Sequence, residues 1–187
     1  ATLLALALTY QFRVGQEERL RAEQLAMLDP LTGVNNRRAF YDVTTPIWNI
    51  ELRHNHNLSV VLLDLDYFKR INDAHGHACG DEFLVAIANL LKKSVRDQDV
   101  IARWGGEEFI LLLPETDLEE AAGLAERLRN AIAGMRLHRD GAEIGITASF
   151  GVAQRSANQR SLDALISTAD DYLYRAKDLG RNRVSHA

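Results

Sequence analysis

Four carboxylates stand at what read as two strand ends. Asp64 and Asp66 close the apolar run "LSVVLLDLD" that starts at Leu58, and Glu107 and Glu108 open "EEFILLLP". Acids gathered in one place repel unless a proton or cation neutralises them. Oxygen ligands suit Mg²⁺ or Mn²⁺, and Mg²⁺ is usually held by one or two carboxylates plus substrate phosphates. Any one of these acids alone reads as a surface turn residue; the set reads as a metal site. Asp64 and Asp66 would point the same way along a strand, unless the strand ends between them.

Other groups cluster near the same strand end. "DYFKRIND…GHACGDEF" carries Lys69, Asn72 and Asp81. An Asp carboxylate can accept from the N1 and N2 donors of guanine, and an Asn amide both donates and accepts. Taken singly, Asn72 and Asp81 read equally as helix caps, with Gly76 and Gly80 favouring a turn. "YRAKDLGRNRV" places Lys177 and Arg181 beside Arg175 and Arg183. This is either a phosphate clamp or cations drawn to a helix C-terminus. The histidines of "HNH" (His54 to His56) and "HGH" (His75 to His77) lack a second ligand pair at zinc spacing and read as structural or solvent-facing. There is no Walker loop, dinucleotide glycine fingerprint or Ser-His-Asp arrangement.

The elements that must position these groups follow from periodicity. "LSVVLLDLD" has the length and continuity of a central strand covered on both faces. Arg37 to His54 has a partial helical apolar face, which Pro46 should kink or interrupt. Helices are expected over about Tyr67 to Ala74 and Gly80 to Val95. "DVIAR" and "EFILLLP" flank "WGGE" as a hairpin. Asp117 to Met135 is a helix with Asp117 as N-cap. "AEIGITASFGVA" is one strand run, and Ser161 to Lys177 is a helix terminated near Gly180. The order β-α-α-β-β-α-β-α predicts an α+β, ferredoxin-like split βαβ core with an antiparallel central sheet flanked by helices. In that arrangement Asp64 and Glu107 meet.

Composition fits one globular domain. The chain has 187 residues, 47% hydrophobic and 26% charged, with a net charge of -4. That balance argues against a nucleic-acid polymer as partner. Cys79 is the only cysteine, so no internal disulfide forms. "ATLLALALTYQF" is too short to span a bilayer. It reads either as the end of a truncated membrane helix or as part of a buried one. "RVGQEERLRAEQLAML" follows as either a helical stalk that pairs with a second copy or an ordinary amphipathic helix. "DPLTGVNN" then marks the boundary, giving a stalk over residues 1–28 and a domain over 29–187.

Taken together, "DPLTGVNNRRAF", "DLDYFKRINDAHGHACGDEFL", "RWGGEEF", "ASFGVA" and "ADDYLYRAKDLGRNRV" resemble the GGDEF family of diguanylate cyclases, in the family's order from about Asp29 to Val184. Glu107 stands where the family name has Asp, and Tyr67 where His is frequent. The resemblance implies a fold similar to nucleotide cyclase and polymerase palm domains. It also implies the reaction in which two GTP give cyclic di-GMP and two pyrophosphates. Carried over, Asp64, Glu107 and the Leu65 carbonyl would hold Mg²⁺ or Mn²⁺, and Glu108 would help position metal or activate the 3′-hydroxyl. Asn72 and Asp81 would read guanine, while Lys177, Arg181 and the amides near Phe68 and Lys69 would hold phosphates. Gly105 and Gly106 would let the nucleotide lie close. A homodimer would be needed, since one domain holds one GTP. "RDQD" has the form of the family's product-inhibition site, with Arg96 and Asp99 as contacts and Arg127 as a second one. The natural setting implied is a cytoplasmic domain, with a membrane anchor or sensor upstream in a bacterial protein. The rival readings are a catalytically silent module that binds GTP or cyclic di-GMP, and a cyclase making another dinucleotide.

Overall fold

The computed structural model describes residues 27–139 and 141–187, with Arg13 ahead of them. The stalk expected over residues 1–28 therefore lies outside the described residues, save Arg13, Met27 and Leu28. The elements in chain order are α1 (Arg37–His54), β1 (Leu58–Leu65), α2 (Phe68–His75), α3 (His77–Ser94), β2 (Val100–Arg103), β3 (Glu108–Pro114), α4 (Leu118–Ala133), β4 (Arg136–Arg139), β5 (Ala142–Gly145), β6 (Ala148–Gln154), α5 (Leu162–Asp178) and β7 (Val184–Ser185).

The main sheet has the order β2-β3-β1-β6-β7. β1 lies at its centre, antiparallel to β3 and β6. This is the α+β, antiparallel arrangement that the element order predicts. Period-two alternation divides β1 between two cores. Val61, Leu63 and Leu65 join Phe83, Ile87 and Leu91 of α3 and Leu128 of α4. Leu58, Val60 and Leu62 join Phe40 and Trp48 of α1 and Leu165 and Leu173 of α5. Burial on both faces is why the strand is written as an unbroken apolar run. Asp64 continues the second series, so it emerges on the face that α5 covers.

α5 packs closely on β6. A Cβ at Gly151 of β6 would fall 2.0 Å from the Ala169 carbonyl oxygen and 2.3 Å from the Leu173 nitrogen. Glycine is the residue that permits this approach, and the approach carries the far end of α5 to Asp64. Helix caps follow the sequence: the Asn36 side chain accepts from Ala39 N, Asp117 and Glu120 form a capping box, and Ser161 caps α5. Gly180 follows α5 at φ +115.

Three local expectations are corrected. Pro46 does not interrupt α1, which runs over 18 residues. Thr44 and Thr45 donate to the Phe40 and Tyr41 carbonyls at 2.7 Å each, adding bonds in the turn where proline supplies none. Gly80 lies inside α3 rather than in a turn, which Gly76 makes alone at φ +82. "AEIGITASFGVA" is two strands: β5 pairs back on β4 in a separate two-stranded sheet, and β6 begins at Ala148. β7, two residues long, is too short to carry a periodic signal and pairs parallel to β6.

Candidate active site

Antiparallel pairing of β1 with β3 puts Asp64 opposite Glu108. The contact is one residue over from the expected Asp64–Glu107 pair, and Glu107 remains close: its carbonyl accepts from Leu65 N at 3.3 Å. The two strand ends thus bring Asp64, Leu65, Glu107 and Glu108 together. Lys177 reaches in from α5, its Nζ 3.0 Å from Asp64 Oδ2. Removal from water is the main cause that pushes the Asp64 carboxyl up to about 6. Lys177 opposes that rise, and the charges of Glu107 and Glu108 add to it. Three partly buried carboxylates facing one ammonium are under-neutralised. That donor set, hard and anionic, fits a divalent cation of the Mg²⁺ or Mn²⁺ kind.

Asp66 belongs elsewhere. β1 ends at Leu65, so the same-side rule stops applying. Asp66 is 4% exposed and accepts from Thr147 Oγ1 and Ser149 Oγ at 2.7 Å each and from Asn182 N at 3.0 Å. It is a satisfied buried carboxylate that ties the end of β1 to β6 and the C-terminal segment.

The hairpin between β2 and β3 is held from three directions. Trp104 N and Gly105 N donate to the Glu108 carbonyl at 2.8 and 3.4 Å. Arg103 donates to the Gly106 carbonyl through Nε at 3.0 Å and Nη2 at 2.7 Å, while its Nη1 bonds Asp29 at 3.1 and 3.2 Å. Trp104 packs edge-on against Phe40 of α1 at 5.6 Å, with the Arg37 guanidinium 4.2 Å from its ring centre. A Cβ at Gly105 would approach Glu108 Oε2 to 2.8 Å, whereas Gly106 faces open space.

Phe68 and Lys69 open α2, whose N-cap Tyr67 is left-handed (φ 57) and offers no side-chain cap. The first-turn N–H groups therefore have no capping side chain to satisfy them. Asn72 Oδ1 is buried without a hydrogen-bond partner. It lies against Gly80 of α3, where a Cβ would come within 2.0 Å of it. Asp81 follows on the exposed side of α3. Arg181 stacks on the Tyr67 ring at 4.7 Å, and Arg70 on the same ring at 4.5 Å.

At "RDQD", Asp99 Oδ2 accepts from Arg96 N at 2.8 Å, and Asp99 Oδ1 is buried without a partner. Burial raises the Asp99 carboxyl, with Arg96 opposing. Arg127 lies exposed on α4, and among the described residues no hydrogen bond or ion pair joins it to that turn. Residue-by-residue reading overlooked Arg103, although it directly precedes "WGGEEF". It also overlooked Thr147, Ser149 and Asn182 around Asp66, which carry no local signal because their role is fixed by strand pairing.

A family model described as "Diguanylate cyclase, GGDEF domain" matches residues 26–183. The chain belongs to the GGDEF family. This GGDEF domain is 45% identical over 171 residues to the diguanylate cyclase DgcM of Escherichia coli, covering 90% of this chain and 40% of that protein. It is 44% identical over 164 residues to DgcP of Pseudomonas aeruginosa, covering 88% of this chain and 24% of that one. The chain thus spans less than half the length of these curated relatives. Among solved structures, the GGDEF domain of DgcB from Caulobacter crescentus, in complex with c-di-GMP, superposes with a TM-score of 0.82 at 31% identity. That match covers 86% of this chain and 92% of the other. The active GGEEF domain of a diguanylate cyclase from Vibrio cholerae gives 0.76 at 33% identity, over 81% and 96%. Among the described residues no helix is long and apolar enough to cross a membrane.

Proposed function

We propose that this domain is a diguanylate cyclase that condenses two GTP into cyclic di-GMP, releasing two pyrophosphates. The carrying observation is the under-neutralised trio of Asp64, Glu107 and Glu108 at neighbouring strand ends beside Lys177. Asp64, Glu107 and the Leu65 carbonyl would hold Mg²⁺ or Mn²⁺. When bound there, the cation would supply Lewis-acid chemistry: a lower pKa for the attacking 3′-hydroxyl and charge stabilisation for the α-phosphate and the departing pyrophosphate. Glu108 helps hold the cation or takes the hydroxyl proton. Asn72 Oδ1, buried and unpaired, accepts from guanine, and Asp81 accepts from the same edge.

Lys177 pairs with Asp64 in this structure. Its long stem lets the ammonium turn to the terminal phosphates when GTP arrives, alongside Arg181 and the first-turn amides at Phe68 and Lys69. Gly105 and Gly106 keep the hairpin low beneath the nucleotide. Each 3′-oxygen attacks the α-phosphorus of the other GTP, and one pyrophosphate leaves per bond formed. A domain holding one GTP needs a twofold partner to complete the ring.

Incubation with GTP and Mg²⁺ after removal of copurified cyclic di-GMP tests the reading. Cyclic di-GMP should form with the native chain and fail to form with Glu108→Ala. Absence of product from an enforced dimer that still binds GTP would overturn it.

Product feedback at Arg96 and Asp99, with Arg127 as a further contact, is part of the same reading. Asp99 Oδ1, buried and unpaired, supports it. Arg96→Ala should weaken cyclic di-GMP binding about tenfold, the loss of one charge-assisted contact, and leave the initial rate of synthesis unchanged. Equal product affinity in both proteins would remove the feedback site.

A further inference from the structure

The histidines of "HNH" lack a second ligand pair at zinc spacing, but the fold brings Glu115 to join Glu51 beside His56. His56 Nδ1 lies 3.1 Å from Glu51 Oε2 and 3.7 Å from Glu115 Oε1. One ligand atom from each of the three lies within 4.8 Å of the others. Bonds of about 2.0–2.2 Å from zinc to imidazole nitrogen and carboxylate oxygen set tetrahedral neighbours roughly 3.3–3.6 Å apart. The two measured separations straddle that range.

The three side chains stand on fixed backbone. Asn55 closes α1 in the left-handed conformation at φ 52, and the N–H groups of Asn55 and His56 both donate to the Glu51 carbonyl. Arg155 Nη2 bonds the His56 carbonyl at 2.8 Å. Glu115 follows β3 directly, where Pro114 pairs with Leu58 and Ser59 Oγ bonds the Thr116 carbonyl at 2.8 Å. The Glu51 side chain is 8% exposed, against 46% for His56 and 61% for Glu115. A nearly buried carboxylate therefore faces a second carboxylate across one ring nitrogen. A single N–H serves one of them fully, whereas a dication serves both and the nitrogen lone pair together. Mixed imidazole and carboxylate donors favour Zn²⁺ over Mg²⁺.

We propose that Glu51, His56 and Glu115 form a Zn²⁺-binding site that ties the C-terminal end of α1 to the outgoing end of β3. The site lies at the end of β1 and β3 opposite the catalytic one. Leu58 pairs with Pro114 there, and Asp64 with Glu108 at the other end, about 20 Å away at the usual strand rise. It does not depend on the cyclase reading.

Calorimetric titration of the full chain with ZnCl₂, in excess Mg²⁺ to fill the oxygen-ligand centre, tests the site. One equivalent should bind, and Co²⁺ in its place should give the visible absorption of a four-coordinate nitrogen and oxygen site. His56→Ala and Glu115→Gln should each weaken Zn²⁺ binding at least about tenfold and abolish the rise in melting temperature that Zn²⁺ gives the native chain. His54→Ala, which removes only the ring stacked on His56 at 5.5 Å, should retain binding. No Zn²⁺ binding by the native chain, or unchanged affinity in both ligand variants, would overturn the proposal. If His56→Ala fails to fold, Glu115→Gln decides, since its side chain is mostly exposed.

Discussion

Asp64 and Asp66 are two residues apart and differ in nearly every physical respect. Asp66 has three donors around its two oxygens and closes a joint between β1, β6 and the C-terminal segment. Asp64 has one ammonium and two neighbouring acids, and its carboxyl is held near 6. Folding satisfies the first carboxylate internally and leaves the second short of positive charge. A residue whose needs the protein meets holds structure together; one whose needs it leaves unmet waits for a ligand. Asn72, with a buried and unpartnered Oδ1, falls on the side of Asp64.

The contrast can be broken by exchanging what each residue lacks. Asp64→Asn should lower cyclic di-GMP synthesis at least about 10³-fold while leaving the urea midpoint at pH 8 equal or higher, because the ionised group is strained there. Asp66→Ala should do the reverse. It should cost about 3 kcal/mol in urea unfolding by stranding two hydroxyls and an amide, and any loss of activity should follow the folded fraction.

The pH dependence of the divalent-free protein sharpens the same point. The Asp64 carboxyl stands near 6 in the fold against its ordinary 3.8, so the folded chain holds an extra proton between those values. Stability from this group is greatest on the acid side and falls as pH rises from about 4 to 6, by no more than about 3 kcal/mol. Asp64→Asn should flatten that slope, and Mg²⁺ should restore more stability at pH 7.5 than at pH 5, read as melting temperature. The smallest effect belongs to Gly80→Ala. A methyl there displaces the Asn72 amide, so KM for GTP should rise about tenfold with a lesser change in kcat.

The sheet was readable because β1 and β3 are apolar runs bounded by turn residues, and their order left one economical pairing. The carboxylate cluster followed from that pairing, off by one residue because Leu65 N reaches the Glu107 carbonyl while Asp64 faces Glu108. Gly80 was misread because a glycine needed for helix packing looks, in sequence, like one needed for a turn. β4 was missed because "RLHR" pairs only with β5 and has no fully buried residue. The partners of Asp66 were invisible for a different reason. They are 81, 83 and 116 positions away, and nothing but the folded sheet brings them together. His56 and Glu115 share that difficulty.

Arg103 couples two places that the sequence separates. One planar group grips Asp29, in the loop ahead of α1, and the Gly106 carbonyl, at the tip of the hairpin. Its five donors are fixed in one fork, so the two anchor points are joined by a rigid strut rather than a hinge. A displacement of the Asp29 loop would reach the hairpin tip through one side chain, without first bending the sheet.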